Sequence, residues 1–383
     1  MNSNTRKVKI IRIFASSFLL IIAVIVLIIY LWPNSPPSLT ESLSFATPAG
    51  VELTQLTSNS FKKQNVAWSP DGKYITYVKW YNPEIYLIDV GNQTESQLTH
   101  WNGWNNGGLS LLRYSYDGSA IFLGTTGGLW AQSVNGGEPQ SLLPSASAPW
   151  GEAWVLGYDA RFSRDKCAFV VGIYPSSLYV IDLNTGNQTM LVEGLADSSY
   201  ANLDISSDGS RVVYSAGVIG QSEPGFPNIP LQHMWVINTD GTGQKQISDN
   251  SGGNPRWSPD GSKIAYSYDN KLCQIDPDGT NKKETPLQGG SILGFEWSPD
   301  GNKIAYWSSY YSLWILNLKD SSQKCILNTE NTGVYWNAWN GMAWSPDSNS
   351  IAFILSMLWK SDLSSTSEVD QVFMVTSNNS GGF

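Results

Sequence analysis

The sequence predicts an all-β fold: a seven-bladed β-propeller of four-stranded antiparallel blades, preceded by one N-terminal transmembrane helix. Three observations carry this prediction. A strand–turn–strand unit built around Ser-Pro-Asp-Gly or a close variant occurs seven times between residues 69 and 348. Apolar and polar residues alternate with period two on both sides of each turn. One run of 20 residues without a charge, 13–32, stands near the N-terminus.

The first unit is Ser69-Pro70-Asp71-Gly72. It returns as Ser115-Tyr116-Asp117-Gly118, Ser163-Arg164-Asp165-Lys166 and Ser206-Ser207-Asp208-Gly209. Ser258-Pro259-Asp260-Gly261, Ser298-Pro299-Asp300-Gly301 and Ser345-Pro346-Asp347-Ser348 complete the series. Successive aspartates lie 40 to 52 residues apart. Solenoid repeats of this period are mostly helical, and no helical periodicity follows residue 33, so a propeller is the fitting architecture. Proline presets φ near −65° in such a turn, and glycine accepts the positive φ at its end. Lys166 and Ser348 stand where the other units have glycine, so these two turns are expected to be looser or strained.

Within the first unit, Val66-Ala67-Trp68 reads as one strand and 74–78 as the second. Ile85-Tyr86-Leu87-Ile88 reads as the third, and the fourth ends in Gln97-Leu98-Thr99. The seventh unit has a third strand at 372–376 and no fourth. The segment 51–57 also ends in Gln-Leu-Thr and has no blade of its own, so it is expected to close the last blade. Such a closure removes an open sheet edge.

Arg6, Lys7, Lys9 and Arg12 precede the apolar run, with no acidic residue among the first 12. Twenty helical residues rise about 30 Å, the thickness of a bilayer core. The run ends in Tyr30-Leu31-Trp32, an interfacial aromatic anchor. We therefore expect a cytoplasmic tail at 1–12, a signal-anchor helix at 13–32, a Pro/Ser-rich stalk at 33–50 and the propeller at 51–383, outside the cytoplasm. A cleaved signal peptide is the alternative reading of the apolar run.

The net charge is −9, and a basic patch for phosphate is missing, so nucleic acid is not an expected partner. Cys167, Cys273 and Cys325 fall in three different repeats and are expected to be buried thiols. No catalytic set, metal site or cofactor site emerges. The chain has two histidines, His100 and His233, both expected in connections, and no G-x-S-x-G nucleophile motif. Asp276-Pro277-Asp278-Gly279 and Asp240-Gly241 lack the spacing of a calcium loop and read as hairpin turns.

The 17 tryptophans are the most suggestive feature. Trp68, Trp257, Trp297 and Trp344 precede the turns and belong to strands. Others fall in connections, which emerge on the face opposite the Ser-Pro-Asp-Gly turns. The candidate binding face there comprises Trp80, Tyr81, Trp101, Trp104, Trp150, Trp154, Trp336 and Trp339. The longest loops, about 217–232 and 355–370, are expected on the same face. These aromatics either form a rim for protein, peptide or carbohydrate, or fold inward to pack blade on blade.

The pattern from Trp68 through Val78, with Ile85 to Val90 and Gln97-Leu98-Thr99, resembles the TolB-type propeller repeat, which also occurs in dipeptidyl-peptidase-like proteins. The resemblance covers roughly 51–383. It implies a periplasmic protein-binding platform where the propeller stands next to a second small domain, as in TolB, and the gate of a hydrolase domain in the peptidases. Some similar propellers are polysaccharide lyases with several histidines and a metal, which two histidines match poorly. Neither the TolB N-terminal domain nor a hydrolase domain is expected here. A membrane-anchored, non-catalytic protein-binding scaffold is the expected function. A hydrolase, lyase or carbohydrate-binding propeller is the alternative.

Overall fold

In the computed structural model, the described residues are 47–378 and 383, except 81–83, 101–108, 126–127, 145–159, 172–175, 196–201, 224–225, 250–252, 310, 331, 333, 337–340 and 361–365. They form seven antiparallel sheets in chain order, the blades of a propeller. Blade 1 runs Lys63–Trp68, Tyr74–Lys79, Ile85–Asp89 and Thr94–Gln97 from its inner to its outer strand. Blades 2 to 6 repeat that plan over 109–144, 161–195, 203–248, 253–286 and 292–328. The apolar run 13–32 lies outside the described residues, and among these no helix is long and apolar enough to cross a membrane.

Blade 7 joins the two ends of the propeller. Its second and third strands are Ser350–Lys360 and Thr366–Ser377, and its outer strand is Val51–Gln55. Val51 stands opposite Ser377 and Gln55 opposite Phe373, and Leu56 N donates to Val372 O at 2.8 Å. The inner edge comes in two pieces, Val334–Trp336 and Met342–Trp344, both paired to the same second strand. Gly341 ends the insertion between them with φ +70°, and a Cβ there would lie 3.2 Å from Asn65 Cα of blade 1. Only glycine fits that approach.

Apolar side chains from adjacent blades interleave to make the core. Trp307 of blade 6 meets Phe353 of blade 7 edge-on at 5.5 Å, and both are fully buried. Leu56, Ile75, Tyr77, Ala352, Ile354 and Val372 weld blade 7 to blade 1. The pre-turn tryptophans add a repeated inter-blade bond. Trp68, Trp297 and Trp344 donate their indole N–H to the carbonyls of Ala343, Arg256 and Glu296 in the preceding blade, at 3.1, 3.3 and 3.2 Å.

The turns form a belt of their own. Asp71 Oδ1 accepts from Ser69 Oγ at 2.7 Å and from Lys73 N at 3.1 Å, and Ser69 Oγ accepts from Tyr74 N at 2.9 Å. The Ser69 hydroxyl, then the Lys73 amide, draws the Asp71 carboxyl down to about 2. The proline of one turn packs on the glycine of the next: a Cβ at Gly118 would sit 3.5 Å from Pro70 Cδ. Serine at 348 does adopt the left-handed conformation, with φ +61°. Lys166, in contrast, does not occupy the glycine position. Ser163 N bonds Lys166 O, whereas Ser69 N bonds Tyr74 O, so the blade-3 turn is two residues shorter and Lys166 already starts the second strand.

The two longest expected loops are not loops. Blade 4 extends its second and third strands into a ribbon, Arg211–Glu223 against Phe226–Asn238, and blade 7 does the same with Ser350–Lys360 against Thr366–Ser377. Backbone pairing runs to Glu223 opposite Phe226 and to Lys360 opposite Thr366. The corresponding strands of blade 1 have six and five residues.

Candidate functional site

The propeller has two unlike faces. The Ser-x-Asp turns cover one, and both ribbons rise from the other, because each ribbon joins a second strand to a third. Blades 4 and 7 are three places apart in a ring of seven, so the ribbons flank the channel from nearly opposite sides. Among the described residues, the inner strand of blade 4 pairs its neighbour only at Val212–Tyr214, and the outer strand pairs only Met234–Val236. Past those points the blade-4 ribbon is two strands wide, with main-chain groups along both edges. Such edges accept an added strand from another chain.

Two of the eight candidate aromatics can be placed on this face. Trp80 follows the second strand of blade 1, is half-buried, and donates its backbone N–H to Lys62 O at 2.9 Å. Trp336 ends the outer piece of the divided blade-7 strand, opposite Leu355 at the base of that ribbon. The structure thus brings them to adjacent blades on one face. Tyr81, Trp101, Trp104, Trp150, Trp154 and Trp339 lie outside the described residues.

His233 is in a strand, not a connection, opposite Ala216 at the foot of the blade-4 ribbon. Both of its ring nitrogens are shielded from solvent and have no hydrogen-bond partner. His100 is exposed after the fourth strand of blade 1. All three cysteines are free thiols; Cys167 and Cys273 are buried and Cys325 is half-buried. The Asp276–Gly279 segment is a turn, closed by Gly279 N donating to Asp276 O at 2.9 Å.

On the same face, a strap at 56–62 carries the chain from the outer strand of blade 7 to the inner strand of blade 1. Lys63 ends it, fully buried. Its Nζ donates to Asp370 O at 2.5 Å and Phe61 O at 3.2 Å, and it lies 4.8 Å from the centre of the Phe61 ring. Asp370 Oδ2 accepts from Lys63 N at 2.9 Å and Oδ1 from Ser356 Oγ at 2.7 Å. Burial draws the Lys63 ammonium down to about 7, against the opposing pull of Asp370 and then Glu95.

One constellation escapes sequence reading unless the repeats are stacked in register. The residue two places before each turn serine lies on the innermost strand. In blades 2 to 6 it is Arg113, Arg161, Asp204, Arg256 and Glu296. Arg161 Nε stands 3.9 Å from Asp204 Oδ1, and Arg256 Nε 3.8 Å from Glu296 Oε1. Asp204 Oδ2 also accepts from Trp257 N at 2.8 Å. Burial pushes the Asp204 carboxyl up, with Arg256 and then Arg161 pulling the other way.

No family model matches the chain. Dipeptidyl-peptidase 5 of Porphyromonas endodontalis is 32% identical over 97 residues, 24% of this chain and 14% of that protein. The Tol-Pal system protein TolB of Hahella chejuensis is 38% identical over 66 residues, 17% of this chain and 15% of that protein. An uncharacterized protein of Agrobacterium fabrum is 29% identical over 116 residues, 29% of this chain and 38% of that protein. The chain therefore spans well under half the length of each of these relatives. Among solved structures, the oligogalacturonate lyase of Vibrio parahaemolyticus superposes with a TM-score of 0.63 at 16% identity, over 87% of this chain and 97% of that one. An oligogalacturonate lyase in complex with manganese gives 0.63 at 18%, over 87% and 96%. At such identities these two show the fold alone. The seven turn-and-strand units, together with the dipeptidyl-peptidase and TolB segment matches, make the chain similar to the TolB-like β-propeller repeat proteins.

Proposed function

We propose that the protein is a membrane-anchored, extracytoplasmic propeller that acts as a non-catalytic protein-binding scaffold in the cell envelope. The observation that carries this reading is the pair of ribbons on one face, with main-chain edges on the blade-4 ribbon that pair with no further strand among the described residues, and Trp80 and Trp336 on the two blades at the base of the other. Strand addition to an edge and aromatic contact area are two ordinary means of gripping a polypeptide. The apolar run 13–32 with its basic tail supplies the anchor, with residues 1–12 cytoplasmic and 33–50 as stalk. The matched TolB segment supports an envelope setting through that relative's name, as a Tol-Pal system protein.

A second reading has a specific observation behind it. The fold matches oligogalacturonate lyases over nearly their whole length, and His233, in the third strand of blade 4, has two ring nitrogens without a hydrogen-bond partner among the described residues. That reading is a hydrolase or lyase acting on a glycan or peptide, or a carbohydrate-binding rim. The manganese of one neighbour finds no fitting donor set here: among the described residues no group of three His, Cys, Asp or Glu could hold a metal ion.

The two readings part on turnover. Purified full-length chain in detergent, offered panels of polysaccharides and peptides, is expected to show none beyond that of a His100→Ala/His233→Ala variant. Turnover that disappears in either single histidine variant contradicts the scaffold.

A further inference from the structure

The charged belt inside the channel has no part in the binding face and lies toward the opposite end, next to the turns. Its charges do not cancel. Three guanidinium groups meet two carboxylates in a protein whose net charge is −9. Nor are its donors satisfied. Among the described residues, Arg161 Nε and Arg256 Nε are shielded from solvent and make no hydrogen bond, the nearest carboxylate oxygens standing 3.9 and 3.8 Å away. Arg161 NH1 and Arg256 NH1 donate to the main-chain carbonyls of Ala160 and Pro255, at 3.1 and 2.9 Å. Buried N–H groups are almost always bonded, so two such donors on blades flanking Asp204 call for an acceptor.

The same five side chains sense one another across the channel. Burial first, and then the positive charge of Arg256, draws Arg161 down to about 10, with Arg113 adding to the effect. One negative charge lodged among the three arginines relieves both the unmet donors and the like-charge repulsion. The adjacent blades 7 and 1 contribute small residues, Ala343 and Ala67, at this level.

Two features select the anion. A guanidinium fork matches a planar carboxylate bidentately. Asp204 and Glu296 share the belt, and a doubly charged phosphate would meet their repulsion more strongly than a singly charged group. We propose that Arg113, Arg161 and Arg256 form a carboxylate-binding site in the propeller channel. The carboxylate belongs either to a small organic acid or to the C-terminus of a chain entering the channel.

Calorimetric titration of the purified full-length chain in detergent, at constant ionic strength, tests the site. The probes are sodium propionate, triglycine, triglycine amide and inorganic phosphate. Saturable binding of propionate or triglycine without binding of the amide is expected. Propionate binding at least as tightly as triglycine identifies a free acid, and tighter triglycine binding identifies a chain terminus. Arg161→Gln and Arg113→Gln are each expected to weaken it about tenfold, the effect of one charge-assisted hydrogen bond. Arg113 is exposed, so its variant keeps the fold even if Arg161→Gln does not. The proposal is overturned by absence of saturable carboxylate binding, by equal binding of acid and amide, by preference for phosphate, or by unchanged affinity in Arg113→Gln.

Discussion

Asp370→Ala is expected to destabilise the protein by about 2–5 kcal/mol, the cost of leaving two buried donors without their acceptor beside a buried ammonium. The carboxylate accepts from Lys63 N and Ser356 Oγ, and it is the nearest negative charge to a fully buried ammonium. Alanine leaves two buried donors unmet and the charge uncompensated. Asp370→Asn keeps an oxygen acceptor and should cost less. Lys63→Met combined with Asp370→Ala should recover part of the loss, because the uncompensated charge is then gone. Urea midpoints of the four proteins check this. A loss below about 1 kcal/mol, the range of an exposed pair, would contradict it.

The same lysine predicts a pH dependence. Folded Lys63 loses its proton near pH 7, while the unfolded chain holds it to about pH 10.4. Between those values the unfolded state binds more protons, so this group's contribution to stability rises with pH through the window and is lost as pH falls toward 7. The wild type should therefore gain on Lys63→Met as the pH is raised from 7 to 10.

Leu56→Pro is the second large effect. Proline is tolerated on an edge strand only where the N–H faces solvent. Leu56 N faces Val372 O, and the leucine side chain is buried between blades 7 and 1. Losing that side chain and leaving Val372 O without its donor should together cost about 3 kcal/mol or more. The variant should also aggregate, because the Phe373–Ser377 edge loses its cover. Denaturant unfolding and light scattering read both effects. An unchanged midpoint with a monodisperse protein would show that this strand does not hold blade 7.

Much of the architecture was legible because it is local. Each turn serine accepts a backbone N–H of its own turn on its Oγ, so seven such turns count seven blades. The ribbons were less legible. Residues 217–232 contain Gly217, Gly220, Gly225 and three prolines, which break period-two alternation, yet tertiary pairing continues with shifts of register and sets Ser222 opposite Pro230. Lys166 looked like a glycine substitute because spacing alone does not reveal a two-residue deletion. Lys63 and Asp370 lie 307 residues apart, and no short-range pattern links them. The arginine belt is visible only as a column across repeats, one residue per blade.

The scaffold reading places a polypeptide partner on the ribbon face. A photoreactive side chain introduced at Phe226 or Trp359, on the two ribbons, or at Tyr116, 68% exposed in a blade-2 turn on the opposite face, tests this most directly. In intact cells the two ribbon positions are expected to yield discrete protein adducts and Tyr116 none. Adducts from Tyr116 alone, or none from either ribbon, would contradict the account.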